Sequence, residues 1–80
     1  MILTVLSPER TLLHQEGVTA VELPGTVGRF VVLPGHAPLI SSLTDGVVRY
    51  DLGEERHTLP VKGGFVEIKN DEVTVCADLD

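Results

Sequence analysis

Residues 33–40 read LPGHAPLI, and PGTVGRF stands just ahead of them at 24–30. Two Pro-Gly pairs, a further glycine and then the run Pro-Gly-His-Ala-Pro make a rigid, shaped loop, neither helix nor linker. Pro34 and Pro38 fix φ and give up their N–H donors. Gly25, Gly28 and Gly35 can take φ > 0 where the chain turns sharply. Apolar, strand-like runs flank the segment on both sides. A loop so constrained on a β scaffold presents a surface to a partner.

Working outward, the chain divides into short β runs at close spacing. Ile2–Leu6 ends at Ser7-Pro8-Glu9-Arg10, a type I turn signal with proline at its second position. Thr11–Gln15 and Val18–Leu23 split around Gly17. Phe30–Leu33 and Leu39–Leu43 bracket the PGHAP loop. Asp45-Gly46 precedes Val47–Leu52, Gly53-Glu54 precedes His57–Lys62, and Gly63-Gly64 leads into Phe65–Lys69. Asn70-Asp71 closes a hairpin onto Val73–Ala77. Several runs alternate with period two. Val48, Tyr50 and Leu52 oppose Arg49 and Asp51; Val66 and Ile68 oppose Glu67 and Lys69; Val73, Val75 and Ala77 oppose Glu72, Thr74, Cys76 and Asp78. That pattern is half-buried antiparallel sheet. No window has the 3.6-residue period of a helix. About nine or ten short strands without a helix predict a β-sandwich or a flattened barrel.

Composition bounds the function. Eighty residues make one domain, and 42% hydrophobic residues suffice for a single core of Val and Leu. A net charge of −6 with scattered basic residues argues against nucleic acid and against anionic lipid. The one cysteine, Cys76, leaves no internal disulfide, which fits a reducing compartment. No apolar run approaches the ~18 residues of a membrane span, and the N-terminus MILTVLSPER lacks the basic start of a signal peptide. The chain is therefore expected to be soluble, with any membrane association indirect.

Candidate chemistry is sparse. His14, His36 and His57 lie far apart, without a His or Cys at ligand spacing, so no metal site is expected. His36 is expected to hydrogen-bond the backbone of its own loop. Ser7, Ser41 and Ser42 have no nucleophile-elbow context, and Cys76 alternates with valines as a small packed residue. PGTVGRF has no Lys-Ser/Thr and no following helix, so it is not a phosphate loop. Phe65 shares the outer row of Glu67 and Lys69. Either a bulge at Gly63-Gly64 turns it inward, or it is an exposed aromatic that anchors a partner. The profile is that of an interaction module.

PGTVGRFVVLPGHAPLISSL at 24–43 closely resembles the epsilon subunit of the F-type ATP synthase. SPERTLL at 7–13, GVVRY at 46–50, VKGGFVEI at 61–68 and NDEVTVCAD at 70–78 match in the same order, so the resemblance covers essentially the whole chain. It implies an all-β fold for residues 1–80, a ten-stranded β-sandwich of two antiparallel sheets. In the family a pair of helices follows. This sequence starts with Met1 and reaches Asp78-Leu79-Asp80 where they would begin, so a short form lacking the helical hairpin is expected.

The resemblance also implies a function: a non-catalytic central-stalk subunit at the cytoplasmic face of the bacterial inner membrane. It would join the gamma subunit to the membrane c-ring and couple ion-driven rotation to ATP synthesis. The residues that match the family's ring contact are Gly25, Thr26, Val27, Gly28 and Arg29, with His36, Ala37 and Pro38. They are expected to form one continuous surface. Phe65 is the candidate gamma anchor. No cofactor, no direct lipid insertion and no ATP binding are expected. Arg29 departs from the family, where its position is often acidic and faces basic ring loops. Outside that family, the alternative is a free-standing β-sandwich binding module, a reading weakened by the absence of Trp and the presence of only one Tyr and two Phe.

Overall fold

The alternating apolar residues become strands, and the turn residues set where each strand ends. The computed structural model describes residues 1–78, which form eight strands and no helix. In chain order they are β1 (Ile2–Leu6), β2 (Thr11–Gln15), β3 (Ala20–Gly25), β4 (Gly28–Val32), β5 (Leu39–Leu43), β6 (Gly46–Leu52), β7 (Glu55–Lys69) and β8 (Glu72–Asp78). The chain terminus at Leu79-Asp80 lies outside the described residues.

Pairing resolves the strands into two layers joined by β7 and by a pairing of β3 with β5, Gly25 beside Leu43. The first half of β7 pairs with β6, β6 with β3, and β3 with β4. The second half pairs with β5 on one side and β8 on the other, and β8 continues through β1 to β2. This is a sandwich, as expected, with two departures. The runs His57–Lys62 and Phe65–Lys69 are one strand passing from layer to layer, so the strands number eight. The sheet is also not purely antiparallel, because β1 lies parallel to β8, Leu3 beside Val73 and Val5 beside Val75. No hairpin links these strands, which come from opposite ends of the chain, so local turn chemistry does not dictate their direction.

The core is apolar throughout. Val21, Leu23, Val32, Val48 and Tyr50 of the first layer meet Leu3, Val5, Val66, Ile68, Val73 and Val75 of the second in one cluster. No buried polar or charged residue interrupts it among the described residues. Each such Val or Leu contributes about 1.5–3 kcal/mol on burial. The N-terminus is tied in as well: the Met1 ammonium donates to the Val18 carbonyl at 3.0 Å, and the Val18 N–H donates to the Met1 carbonyl at 2.9 Å.

Two turns show how sequence becomes shape. Asn70 and Asp71 take φ of 52° and 59°, the pair of left-handed residues that a type I′ hairpin needs between Lys69 and Glu72. In β7 the register against β8 jumps between Lys62 and Phe65. Gly63 and Gly64 supply the bulge, with φ of 63° and 119°. A Cβ on Gly64 would overlap the Cys76 carbonyl and stand 2.8 Å from the Ala77 Cα, so no side chain fits there.

Two substitutions test this packing in urea unfolding. Leu23→Ala removes a fully buried side chain and is expected to cost about 2–5 kcal/mol. Gly64→Ala is expected to destabilise clearly more than Ala at Gly53, where the φ is also positive but the space is open. Equal effects at the two glycines would contradict the bulge as the tight point.

Candidate partner-binding interface

The β3–β4 hairpin places the first group of expected contact residues. Gly25 pairs with Gly28, leaving Thr26 and Val27 as the two-residue tip. Gly25 is buried, and a Cβ there would meet the Gly28 carbonyl at 2.7 Å and the Phe30 ring at 2.9 Å. It shapes the turn and presents nothing itself, contrary to its expected place on the surface. Gly28 takes φ 146°, which favours glycine. Val27 at the tip is fully exposed. The tip is braced from β5: the Thr26 N–H donates to the Ser42 carbonyl at 3.2 Å, and the two hydroxyls lie 2.9 Å apart.

The second group sits on the loop after β4. Leu33-Pro34-Gly35-His36 is a type II turn: the His36 N–H donates to the Leu33 carbonyl at 3.1 Å, Pro34 holds the second position, and Gly35 takes φ 84° at the third. His36 binds its own loop, as expected, with Nδ1 2.6 Å from the Ala37 carbonyl. A carbonyl only accepts, so Nδ1 carries the proton. The loop is moored to the β7–β8 turn, where the Asp71 carboxylate accepts from the Gly35 N–H at 2.6 Å. His36, Ala37 and Pro38 are all exposed.

The two groups do not fold back beside each other. The tip lies beside Ser42 and Thr44, and the PGHAP loop beside Asp71, at opposite ends of β4 and β5. Four residue rises along β4 separate Gly28 from Val32, about 13 Å. What joins the loops is β4 itself. Among the described residues it is an edge strand, paired only with β3, and its outward row is Arg29 and Val31, followed by Leu33 just past the strand end. Val31 and Leu33 are about half exposed. Sequence reasoning missed both. The signal was present in Phe30–Leu33, a run with no polar residue, so either choice of inward row leaves an apolar outer row.

Arg29 is held within the chain. Its Nε donates to Glu22 Oε1 at 2.7 Å across the β3–β4 pair, and its Nη2 donates to the Val47 carbonyl at 2.9 Å. Arg49 reaches the other oxygen of Glu22 from β6, Nη1 to Oε2 at 3.1 Å. The Arg29 hydrogen bond holds the Glu22 carboxyl below the usual carboxylate range, against partial burial acting the other way, and the Arg49 and Arg29 charges add to the lowering.

Phe65 is settled as exposed. The bulge at Gly63-Gly64 exists but works opposite to the inward turn. It resets the alternation so that Val61 and Val66 both face the core, and Phe65 stands half exposed on the outer face of the second layer. There it lies in register with Cys76, which faces Leu6. With Pro8 they line an open, mostly apolar groove of about 330 Å³. The remaining histidines are structural: His14 meets the Thr4 hydroxyl at 3.0 Å, and His57 stacks on Tyr50 at 5.1 Å between ring centroids. Among the described residues no three His, Cys, Asp or Glu side chains are grouped to hold a metal ion.

The molecule is thus a small β-sandwich with exposed apolar side chains along the β4 edge, in the Phe65 groove and on β5, where Ile40 shares the outer row of Ser42, the residue that bonds Thr26 and stands beside Phe65. Residues 1–79 match the family model described as the ATP synthase, Delta/Epsilon chain, beta-sandwich domain, and the chain belongs to this family. It is 45% identical over 76 residues to the ATP synthase epsilon chain of Desulfitobacterium hafniense, covering 95% of this chain and 57% of that one. The epsilon chain of Magnetococcus marinus is 46% identical, with 95% and 55% covered. The chain therefore spans little more than half the length of these curated relatives. Among solved structures, a chain of the Euglena gracilis mitochondrial ATP synthase (OSCP/F1/c-ring, rotational state 1) superposes with a TM-score of 0.89 at 25% identity, over 96% of this chain and 49% of that one. A chain from the Tetrahymena thermophila mitochondrial ATP synthase central stalk/c-ring shares the fold, with a TM-score of 0.78 at 13% identity, over 96% and 62% of the two chains.

Glu22 gives the site a pH signature. A carboxyl with a lowered folded pKa adds stability that is fully present above its ordinary value of 4.5 and is lost as pH falls through the lower folded value. Glu22→Gln is expected to flatten this part of the acid side of the stability–pH curve. An unchanged acid slope would contradict the Arg29–Glu22–Arg49 brace.

Proposed function

We propose that this chain is a non-catalytic part of the central stalk of an F-type ATP synthase, joining the gamma subunit to the membrane c-ring. In that place it helps couple ion-driven rotation to ATP synthesis, as a peripheral component at the cytoplasmic face of the bacterial inner membrane. The observation that carries the reading is the family match over residues 1–79, on a fold with exposed apolar side chains at the β4 edge and at Phe65. The Euglena neighbour, whose assembly includes F1 and a c-ring, is consistent with it.

Two sets of exposed residues support a division of labour in this reading. The c-ring contact is made by the β4 edge: Thr26, Val27, Gly28 and Arg29 at one end, His36, Ala37 and Pro38 at the other, with Val31 and Leu33 between. Gly25 fixes the hairpin from behind. The gamma contact is made by the Phe65 groove on the other layer. A half-exposed aromatic over an apolar floor is the kind of anchor that dominates protein interfaces. A sandwich with an uninterrupted apolar core suits a part that must transmit torque without yielding.

Two sets of substitutions separate the contacts. Val27→Asp together with Leu33→Asp should leave the fold and gamma binding intact, loosen the hold on the membrane sector and lower proton-coupled ATP synthesis, while hydrolysis by the detached head persists. Phe65→Ala should weaken co-purification with gamma by about tenfold or more, with only a small drop in melting temperature, because the ring is half exposed. Full coupling in the first variant would sink the ring assignment. A large melting shift in the second would sink the anchor.

A further inference from the structure

The turn between β7 and β8 holds a residue that its backbone does not favour. Among the described residues, Asn70 and Asp71 are the non-glycine positions with positive φ, at 52° and 59°. A type I′ hairpin takes Asn or Asp readily at its first central position and prefers glycine at its second. Asn70 meets that preference and Asp71 does not. A Cβ in the left-handed region costs free energy that glycine avoids. Strain of this kind persists where the side chain does something in return.

The Asp71 side chain reaches out of its own hairpin. Its Oδ1 accepts from the Gly35 N–H at 2.6 Å, 36 positions away in the chain. The Asp71 carbonyl serves a third segment, accepting from the Ile2 N–H at 3.0 Å where β1 begins. One residue therefore ties together the β7–β8 turn, the start of β1 and the crest of the PGHAP loop. That loop carries the chain from β4 in the first layer to β5 in the second.

Little else steadies the crest. The His36 N–H and the His36 Nδ1 bond Leu33 and Ala37, both within the loop. Pro34 and Pro38 have no N–H to offer. Every residue from 33 to 40 is exposed, so burial does not hold the loop. A backbone N–H bonded to a carboxylate is stronger than a neutral pair. In this exposed position it competes with water and adds little to the stability of the whole fold. What it sets is the place of the loop.

We infer that Asp71 is a positioning residue for partner binding. Its carboxylate locks the PGHAP loop in the form that meets the partner, and the hairpin accepts an unfavoured residue at a left-handed position to provide that lock. This rests on the ring contact proposed above, to which Asp71 contributes by acting through the loop. A loop ordered in advance loses less entropy on binding. Removing the lock therefore weakens capture and leaves the fold intact.

The test compares three variants of the full chain with wild type: Asp71→Gly, Asp71→Asn and Asn70→Gly. Each is measured for melting temperature, for hydrogen exchange of the Gly35 amide in the free chain, and for capture of the detergent-solubilised c-ring. Asp71→Gly suits the turn and lacks the carboxylate. It is expected to melt within about 4 °C of wild type, to exchange the Gly35 amide clearly faster, and to capture the ring about fivefold more weakly. Asp71→Asn keeps a side-chain oxygen acceptor and should return capture to within about twofold of wild type. Asn70→Gly relaxes the same turn with the lock in place and should capture as wild type does. Undiminished ring capture by Asp71→Gly would overturn the positioning role and leave the ring contact standing. A large fall in its melting temperature would make Asp71 a support of the fold and overturn the lock. Weakened capture by Asn70→Gly would assign the effect to the turn and overturn the carboxylate's part in it. Failure of the wild-type chain to capture the ring would remove the ring contact itself, and this inference with it.

Discussion

Everything the molecule presents depends on how β7 crosses from one layer to the other. The strand pairs with β6 in the first layer and with β5 and β8 in the second, and it makes the change at Gly63-Gly64, where the Gly64 backbone lies against Cys76 and Ala77 too closely for any side chain. The bulge advances the alternation by one residue. Without that step, Val61 and Val66 could not both face the core, because they are an odd number of positions apart. With it, both are buried and Phe65 is turned out. The bulge thus builds the exposed groove and, together with the Gly25–Leu43 pairing of β3 and β5, joins the two layers.

The groove and the β4 edge are built from different residues. The groove lies on the outer face of the second layer, over β7, β8 and β1. The β4 edge belongs to the first layer, and its Thr26 tip reaches Ser42, the cross-strand neighbour of Phe65, so the two surfaces approach each other at that end. Neither surface borrows a residue from the other. The loops at the two ends of β4 are each moored to a different neighbour, Thr26 to Ser42 and Gly35 to Asp71. Their relative position is then set by the length of β4, not by loop flexibility.

What the sequence disclosed follows from which interactions are local. The alternation in β6, in the second half of β7 and in β8 is written residue by residue, and Val48, Tyr50, Val66, Ile68, Val73 and Val75 are buried where it places them. The Asn70-Asp71 turn and the Pro34-Gly35 turn are legible for the same reason, since their φ requirements belong to the residues themselves. The parallel pairing of β1 with β8 is not, because register between distant strands leaves no mark on either one. For the same reason the Arg29–Glu22–Arg49 brace was hidden: it needs β4, β3 and β6 side by side. Phe65 was ambiguous because a bulge can rotate a strand in either sense, and only the pairing partners Ser42 and Cys76 decide it. Gly25 looked like a surface residue because a glycine's burial is unrelated to its polarity.

The central claim is that two separable surfaces serve two partners. Hydrogen–deuterium exchange of the intact chain tests it most directly, with the gamma subunit and the c-ring added one at a time. Ring addition should slow exchange along β4 and at His36 and Ala37 and leave the segment from Gly64 to Phe65 unchanged. Gamma addition should slow the strands around Phe65, Cys76 and Leu6 and leave β4 unchanged. Protection of the same segment by both partners, or protection of β4 by gamma, would contradict the account.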